Sequence, residues 1–200
     1  MKGLRKMKEL RFFSVDCDCI VQKFDESRQY LPDTLQYLQW SYYPFWCLPK
    51  TFQANMLVNL EMEGSFISQL WEGRERKVLN KLRFINLKGS TLRSFDLEIT
   101  PNLETLDLGG CYDFVDLHMP VNCPKLKFLY LSGSRVSNLN LGLTPNLDTL
   151  DLKDCSAFVE LHMPVECLKL KFLNLSGTKV RNHNLALTPH LEGLYGYRLV

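Results

Sequence analysis

The sequence lacks the motifs that would assign it a chemistry. Its 200 residues contain no glycine-rich loop ending in Gly-Lys-Ser or Gly-Lys-Thr, no Gly-x-Ser-x-Gly turn and no His-Glu-x-x-His pair. These motifs hold phosphates, nucleophilic serines and zinc, respectively. No apolar run approaches the ~18–20 residues that span a bilayer, and the N-terminal region has no signal-peptide-like apolar stretch. We therefore expect no enzymatic activity, no cofactor and no membrane insertion.

An excess of charge of one sign is also missing. The chain has 24 Lys and Arg against 22 Asp and Glu, a net charge of +2, which gives no strong attraction to nucleic acid. The basic stretch Lys2–Arg11 is interpreted as a solvated flank whose Leu4, Met7 and Leu10 pack on the structure that follows. A membrane or nuclear signal is the alternative. With 46% hydrophobic residues, the chain can bury a continuous core.

What the sequence does contain is a duplication. The segment Thr100–Leu143 is followed at once by a near copy, Thr144–Leu187, at a spacing of 44 residues and with about two-thirds identity. A third copy begins at Thr188. Self-similarity at a fixed spacing is typical of stacked repeats, in which no unit can bury its apolar face alone.

Each copy divides into two shorter units. The pattern L-x-x-L-x-L-x-x-C begins at Leu103, and L-x-x-L-x-L-x-x-S begins at Leu126. This is the leucine-rich repeat pattern. The same pattern recurs at Leu35/Leu38/Trp40, Leu57/Leu60/Met62/Ser65, Leu82/Ile85/Leu87/Ser90, Leu147/Leu150/Leu152/Cys155, Leu170/Leu173/Leu175/Thr178 and Leu191/Leu194, with a degenerate start at Met7/Leu10/Phe12.

The alternating leucines predict short strands with one buried face, and stacking aligns these strands in a parallel sheet. Prolines in the return stretches disfavour long helices. We therefore expect an α/β solenoid, a leucine-rich repeat horseshoe with a parallel β-sheet on the concave face and a mostly irregular convex side. Residues 1–30 would form an N-terminal flank and degenerate first repeat, and residues 31–200 a solenoid of about eight repeats, open at the C-terminal end. Strands are predicted near Tyr37–Trp40, Val58–Met62, Arg83–Leu87, Glu104–Leu108, Lys127–Leu131, Asp148–Leu152 and Lys171–Leu175.

Small residues follow the predicted strands, and some of them are cysteines. Cys111 and Cys155 recur at the repeat spacing, as do Cys123 and Cys167. Periodic placement indicates equivalent slots in the solenoid rather than disulfide partners, so we expect reduced, buried thiols. The full set of small residues in this slot is Ser65, Ser90, Cys111, Ser134, Cys155 and Thr178.

Two arrangements raise the question of a metal site. Cys17 and Cys19 form a single Cys-x-Cys pair, and His118 and His162 each precede a cysteine by five residues. Two ligands at a site are too few for a structural metal ion, which usually takes four. We expect no metal, and we interpret the histidines as packed or turn-bonding residues.

The residues between the leucines point to the other face of each strand. This places Phe84, Phe128 and Phe172 at alternate strands, where polar residues would normally meet water. Grouped exposed aromatics are typical of a binding surface. Alternatively, neighbouring side chains or another domain cover them. The predicted protein-binding residues on the concave face are Tyr37, Phe84, Asn86, Asp107, Phe128, Tyr130, Asp151, Phe172 and Asn174.

A family resemblance becomes specific at residues 31–73. LPDTLQYLQW occupies 31–40, YP 43–44, LPKTF 48–52, LVNLEM 57–62 and LWEG 70–73. This succession closely resembles the leucine-rich repeat region of plant intracellular immune receptors, the nucleotide-binding leucine-rich repeat class with an N-terminal Toll/interleukin-receptor domain. PNLE at 101–104 looks like the next repeat of that region. The resemblance spans about residues 4–155.

The resemblance implies a protein-binding role in plant defence and innate immunity. The partner would be a pathogen effector, or the nucleotide-binding domain of a receptor in cis or in trans. The Toll-type domain and the nucleotide-binding switch have no counterpart here, so ADP or ATP binding is not carried over. A truncated receptor, a gene fragment and a repeat-only relative all stay open.

A general scaffold or substrate adaptor without an immune role is the alternative function. For either function we expect a cytoplasmic protein, with the nucleus as a second open compartment, and no nucleic-acid partner.

Overall fold

The computed structural model describes residues 4–16, 29–72, 77–119, 122–163, 169–180 and 188–196. Within these residues, nine short strands form one sheet, and their order in the sheet follows their order in the chain. Two further pairs of strands form separate small sheets. The strands are β1 (Phe12–Val15), β2 (Tyr37–Trp40), β3 (Asn59–Glu61), β4 (Phe84–Asn86), β5 (Ser94–Asp96), β6 (Thr105–Asp107), β7 (Asp116–His118), β8 (Phe128–Tyr130), β9 (Asn138–Asn140), β10 (Thr149–Asp151), β11 (Glu160–His162), β12 (Phe172–Asn174) and β13 (Gly193–Tyr195).

The large sheet is parallel throughout and pairs equivalent residues of successive repeats. Leu106 lies opposite Leu129, and Leu129 lies opposite Leu150, in neighbouring strands. These three leucines are fully buried, because each packs against its equivalents in the units before and after it. The predicted parallel solenoid is thus confirmed. The central residues of the sheet, in order, are Phe13, Leu38, Leu60, Ile85, Leu106, Leu129, Leu150, Leu173 and Leu194.

The first strand follows a different frame from the one predicted. β1 pairs Phe13 with Leu38 and leaves Phe12 exposed at 67%. Met7, assigned to the core, is 50% exposed. The predicted start at Met7/Leu10/Phe12 was therefore wrong. Leu10 fits both the predicted pattern and the observed one. In the observed pattern, Phe13 and Val15 pack against the core.

The return stretches hold more regular structure than predicted. β5 pairs with β7, and β9 pairs with β11, both in parallel. A 3-10 helix follows β5 at Leu97–Ile99 and another follows β9 at Leu141–Leu143. A third spans Leu4–Lys6, and the described residues contain no longer helix. None of these helices has the length and apolar composition needed to cross a membrane.

Buried thiols fill the slot after two of the strands, as predicted. The Cys111 Sγ donates to the Leu87 carbonyl oxygen at 3.2 Å and lies 3.4 Å from the Ser90 Oγ. Cys155 repeats this arrangement with Leu131 and Ser134. Burial raises the pKa of both thiols, which keeps them protonated. The described cysteines (Cys47, Cys111, Cys123 and Cys155) are buried and form no disulfide, and Cys17, Cys19 and Cys167 lie outside the described residues.

A tight turn with a left-handed backbone follows each strand of the large sheet from β2 onward. Gly110 adopts φ 72° there, a conformation open to glycine at little cost. At the equivalent place in the second copy stands Asp154, with φ 59°. Its backbone N–H still donates to the Ser176 carbonyl, so the ladder continues through the turn despite the unfavourable residue.

Candidate protein-binding surface

The face of the large sheet that points away from the leucines carries two columns of side chains, which we call the outward face. The parallel register stacks equivalent residues of each strand directly beside one another. The first column is Phe12, Tyr37, Asn59, Phe84, Thr105, Phe128, Thr149, Phe172 and Gly193, and the second is Ser14, Gln39, Glu61, Asn86, Asp107, Tyr130, Asp151, Asn174 and Tyr195. All nine predicted binding residues lie in these columns.

The aromatic residues of the first column are only partly covered. Phe84 is 44% exposed and Phe172 is 40% exposed, whereas Phe128 between them is half-buried. Phe12, which the sequence reasoning assigned to the core, extends the column and lies 5.9 Å from Tyr37 between ring centroids. The signal that could have found it is the alternative frame of Leu10, Phe13 and Val15.

The polar residues of the second column also serve the strand ends. The Asp107 Oδ1 accepts from the Gly109 backbone N–H at 2.9 Å, and the Asp151 Oδ1 accepts from the Lys153 N–H at 3.0 Å. Asn86 and Asn174 make the same bond with the residue two positions on. These Asx turns hold each side chain in place. One oxygen of each side chain is thus engaged, a role that sequence reasoning missed.

Tyr130 lies in register between two carboxylates. Asp107 precedes it and Asp151 follows it on the neighbouring strands. Burial, and then the negative charges of these carboxylates, raise the pKa of Tyr130. Burial is also the main cause that raises the pKa of Asp107, opposed by its bond to Gly109 and by the charge of Lys88. This part of the face is therefore acidic, with a neutral phenol as donor.

The N-terminal part of the outward face is joined by side-chain hydrogen bonds. The Ser14 hydroxyl donates to the Gln39 Oε1 at 2.7 Å, and the Asn59 Nδ2 donates to the Glu61 Oε1 at 2.8 Å. Burial and then the charge of Glu61 raise the pKa of Tyr37. The first bond joins β1 to β2 and the second lies within β3, and both fix the orientation of groups that a partner would meet.

One column at the start of the strands alternates in charge, which the sequence reasoning did not detect. Glu104 lies 3.8 Å from Arg83 and 3.0 Å from Lys127. Lys171 lies 3.7 Å from Asp148 and 4.0 Å from Glu192. Exposed pairs like these contribute roughly 0–1 kcal/mol each to the free energy of unfolding. The column therefore determines the pattern of surface charge and adds little to stability. We call the set Arg83, Glu104, Lys127, Asp148, Lys171 and Glu192 the charge ladder.

The two histidines are not packed, which was one of the two roles predicted for them. His118 and His162 are exposed at the ends of β7 and β11 rather than packed. The preceding Leu117 and Leu161 pack on the core, so alternation along each strand turns the histidine outward. The described residues hold no group of three His, Cys, Asp or Glu side chains placed to bind a metal ion.

No family model matches the chain. The chain is 38% identical over 125 residues to the disease resistance protein RML1A of Arabidopsis thaliana, covering 58% of this chain and 12% of that protein. It is 40% identical over 116 residues to the disease resistance protein RPP2B of the same plant, covering 54% and 9%. Among solved structures, internalin C2 of Listeria monocytogenes gives a TM-score of 0.44 at 18% identity, covering 81% of this chain and 80% of that one.

The matched region is thus about a tenth of the length of these curated relatives. Their names confirm the resemblance to plant disease resistance proteins that the residues between 31 and 73 indicated.

Proposed function

We propose that the outward face of the large sheet is the protein-binding surface of a leucine-rich repeat module in plant defence. The observation that carries the proposal is the placement of Phe84, Phe128 and Phe172 at alternate strands of one exposed column. The relatives among plant disease resistance proteins support the setting.

The dimensions of the column suit a single partner element. Neighbouring strands lie about 4.8 Å apart, so two phenylalanines on alternate strands stand about 9.6 Å apart. Phe84 and Phe172 then frame a stretch of about 19 Å, with half-buried Phe128 at its centre. Large aromatic anchors near the middle of an interface commonly dominate its binding energy.

The second column defines what the partner would present. Asp107 and Asp151 each use one oxygen in a turn, which leaves the other carboxylate oxygen to accept from a partner. A partner with basic or hydrogen-bond-donor groups beside an apolar ridge is therefore complementary. We propose a pathogen protein, or the nucleotide-binding domain of a receptor in cis or in trans, met in the cytoplasm or in the nucleus.

A second candidate surface supports the scaffold alternative. Tyr112 is 72% exposed, and Val115 and Val159 are 53% and 54% exposed beside the two small sheets. An adaptor without an immune role would hold its partner there, near the exposed His118 and His162.

The test replaces Phe84, Phe128 and Phe172 together by Ser. Partner capture from plant tissue, with and without pathogen challenge, followed by binary binding to the identified partner, should be lost. The melting temperature should change little, because exposed positions usually contribute within about ±0.5 kcal/mol. The control variant Tyr112→Ser/Val115→Ser/Val159→Ser should bind normally. Intact binding by the phenylalanine variant rejects the site, and a collapsed melting temperature would show that the phenylalanines are core residues.

A further inference from the structure

A groove of ≈ 800 Å³ lies along the N-terminal ends of β8, β10, β12 and β13. Its apolar lining includes Pro124, Phe128, Pro189 and Leu191, and charged residues border it. A volume of this size is typical of ligand sites, whose apolar walls give affinity and whose few polar groups give specificity.

The charges around the groove do not cancel. Five members of the charge ladder line it, and all five form ion pairs within the ladder: two are basic (Lys127, Lys171) and three are acidic (Glu104, Asp148, Glu192). Lys125 and Lys169 also line the groove, are exposed and form no ion pair with another described residue. The lining thus has four basic and three acidic side chains, and the two ammonium groups of Lys125 and Lys169 are the ones that ion pairs with described residues leave to a ligand.

The two lysines occupy one register position. Lys125 stands three residues before Phe128 and Lys169 three residues before Phe172, in the turns that lead into β8 and β12, and β10 lies between these two strands. Two spacings of about 4.8 Å between neighbouring strands give a backbone separation of about 9.6 Å. Between them lies Asn146, whose Nδ2 donates to the Pro124 carbonyl oxygen at 2.6 Å. The Asn146 amide is neutral and its N–H is already in use, so the charged donors at this position before β8, β10 and β12 are the two lysines.

We propose that this groove binds an extended acidic polypeptide segment that runs across the strands. Its carboxylates meet Lys125 and Lys169, and an apolar side chain between them contacts Phe128. A polyproline II segment has three residues per turn and a rise of about 3.1 Å, so residues three apart share one side at about 9.3 Å. That repeat matches the separation of the lysines. The proposal rests on the proposed function, because Phe128 belongs to both surfaces.

The probe is a fluorescein-labelled peptide that repeats Glu-Pro-Leu, with a Gln-Pro-Leu peptide and a peptide repeating Glu-Glu-Pro-Pro-Leu-Leu as comparisons. Fluorescence anisotropy with the full chain should show binding of Glu-Pro-Leu that weakens with added salt. Lys125→Gln/Lys169→Gln should lower its affinity by about tenfold or more. The control Lys81→Gln/Lys153→Gln removes equal charge outside the groove and should change affinity less than about twofold.

Equal binding of the Gln peptide, or an unchanged affinity in the Lys125/Lys169 variant, would overturn the proposal. So would binding of the rearranged Glu peptide as tight as that of Glu-Pro-Leu. Phosphatidylserine vesicles or a single-stranded oligonucleotide bound with the same lysine dependence would show a general anion surface and overturn it too. If the phenylalanine variant still captures its partner while Glu-Pro-Leu binding depends on the lysines, only the proposed function is rejected. The failure of the proposed function can thus be distinguished from the failure of the peptide-binding groove.

Discussion

The two near copies of the repeat, Thr100–Leu143 and Thr144–Leu187, share core residues and differ at surface positions. Among the described residues, Leu106 corresponds to Leu150 and Phe114 to Phe158, and all four are fully buried. Several differences lie at the outward face and at the turns, where Tyr130 corresponds to Asn174, Gly110 to Asp154 and Tyr112 to Ser156. Stacking determines the buried residues, because each unit must match its neighbours. The solvent-facing columns are free of that constraint and can differ from unit to unit.

The largest expected effect tests whether the two cores are equivalent. Leu129→Ala and Leu173→Ala each remove a fully buried side chain and should each lower the free energy of unfolding by roughly 2–5 kcal/mol. Solenoid stability sums neighbour interfaces, so damage at Leu173, nearer the end of the array, should unfold fewer repeats. Hydrogen exchange gives the measurement. Equal, whole-chain loss of protection in both variants would contradict the nearest-neighbour picture.

The turns after β6 and β10 have the same left-handed backbone, but Gly110 occupies it in the first copy and Asp154 in the second, so we expect different backbone strain. Asp154→Gly should raise the free energy of unfolding, and Gly110→Ala should lower it by roughly 1–2 kcal/mol, because a side chain in the left-handed region is unfavourable. A Cβ at Gly110 meets nothing closer than 3.7 Å, so the effect there is backbone strain and not a clash. Chemical denaturation measures both. A destabilised Asp154→Gly variant would show that the aspartate side chain stabilises its turn.

The buried thiols should behave alike in both copies. Burial raises the pKa of Cys111 and of Cys155, so the folded chain keeps these protons to a higher pH than the unfolded chain does. Their contribution to stability is full below the pKa of an exposed thiol and is lost as pH rises through the raised pKa. Alkylation of the native chain should spare both residues. The double variant Cys111→Ser/Cys155→Ser should show a weaker loss of stability at alkaline pH.

The smallest expected effect concerns Tyr130, which corresponds to Asn174 in the second copy. Removing one neighbouring charge with Asp107→Asn or Asp151→Asn should lower the raised pKa of Tyr130, because both carboxylates disfavour the phenolate. A difference titration against Tyr130→Phe isolates this phenol. The matched change Asp116→Asn, away from the face, should leave the titration unaltered. If the Asp107 and Asp151 variants also leave it unaltered, burial alone sets the pKa.

The period of the leucines was enough to predict the sheet, its register and the buried cysteines, because a repeat that stacks must place equivalent residues together. Three features were beyond it. The frame of β1 was ambiguous because Leu10 fits two patterns. The pairs β5–β7 and β9–β11 escaped prediction because each strand has three residues and offers too little alternation. His118 and His162 were misplaced for the same reason.

The candidate surface was predictable in composition but not in chemistry. The columns follow from alternation, so all nine predicted residues lie on one face. Side-chain distances determine the ion pairs of Glu104 and Lys171 and the hydrogen bond that Asp107 makes in its turn. They also determine that Lys125 and Lys169 form no ion pair with another described residue. No pattern of residue types gives those distances.

The alternating charges of the ladder impose a parity on the array. Basic Lys127 and Lys171 precede alternate strands, and acidic Asp148 stands between them. Excising one of the two shorter units of a copy would place two lysines, or two carboxylates, beside neighbouring strands, where like charges repel. Excising or inserting 44 residues at once keeps every neighbour opposite in sign. Unequal recombination can therefore change the length of this solenoid without electrostatic cost only by even numbers of leucine-rich repeats. Each such step also adds or removes one phenylalanine of the outward face.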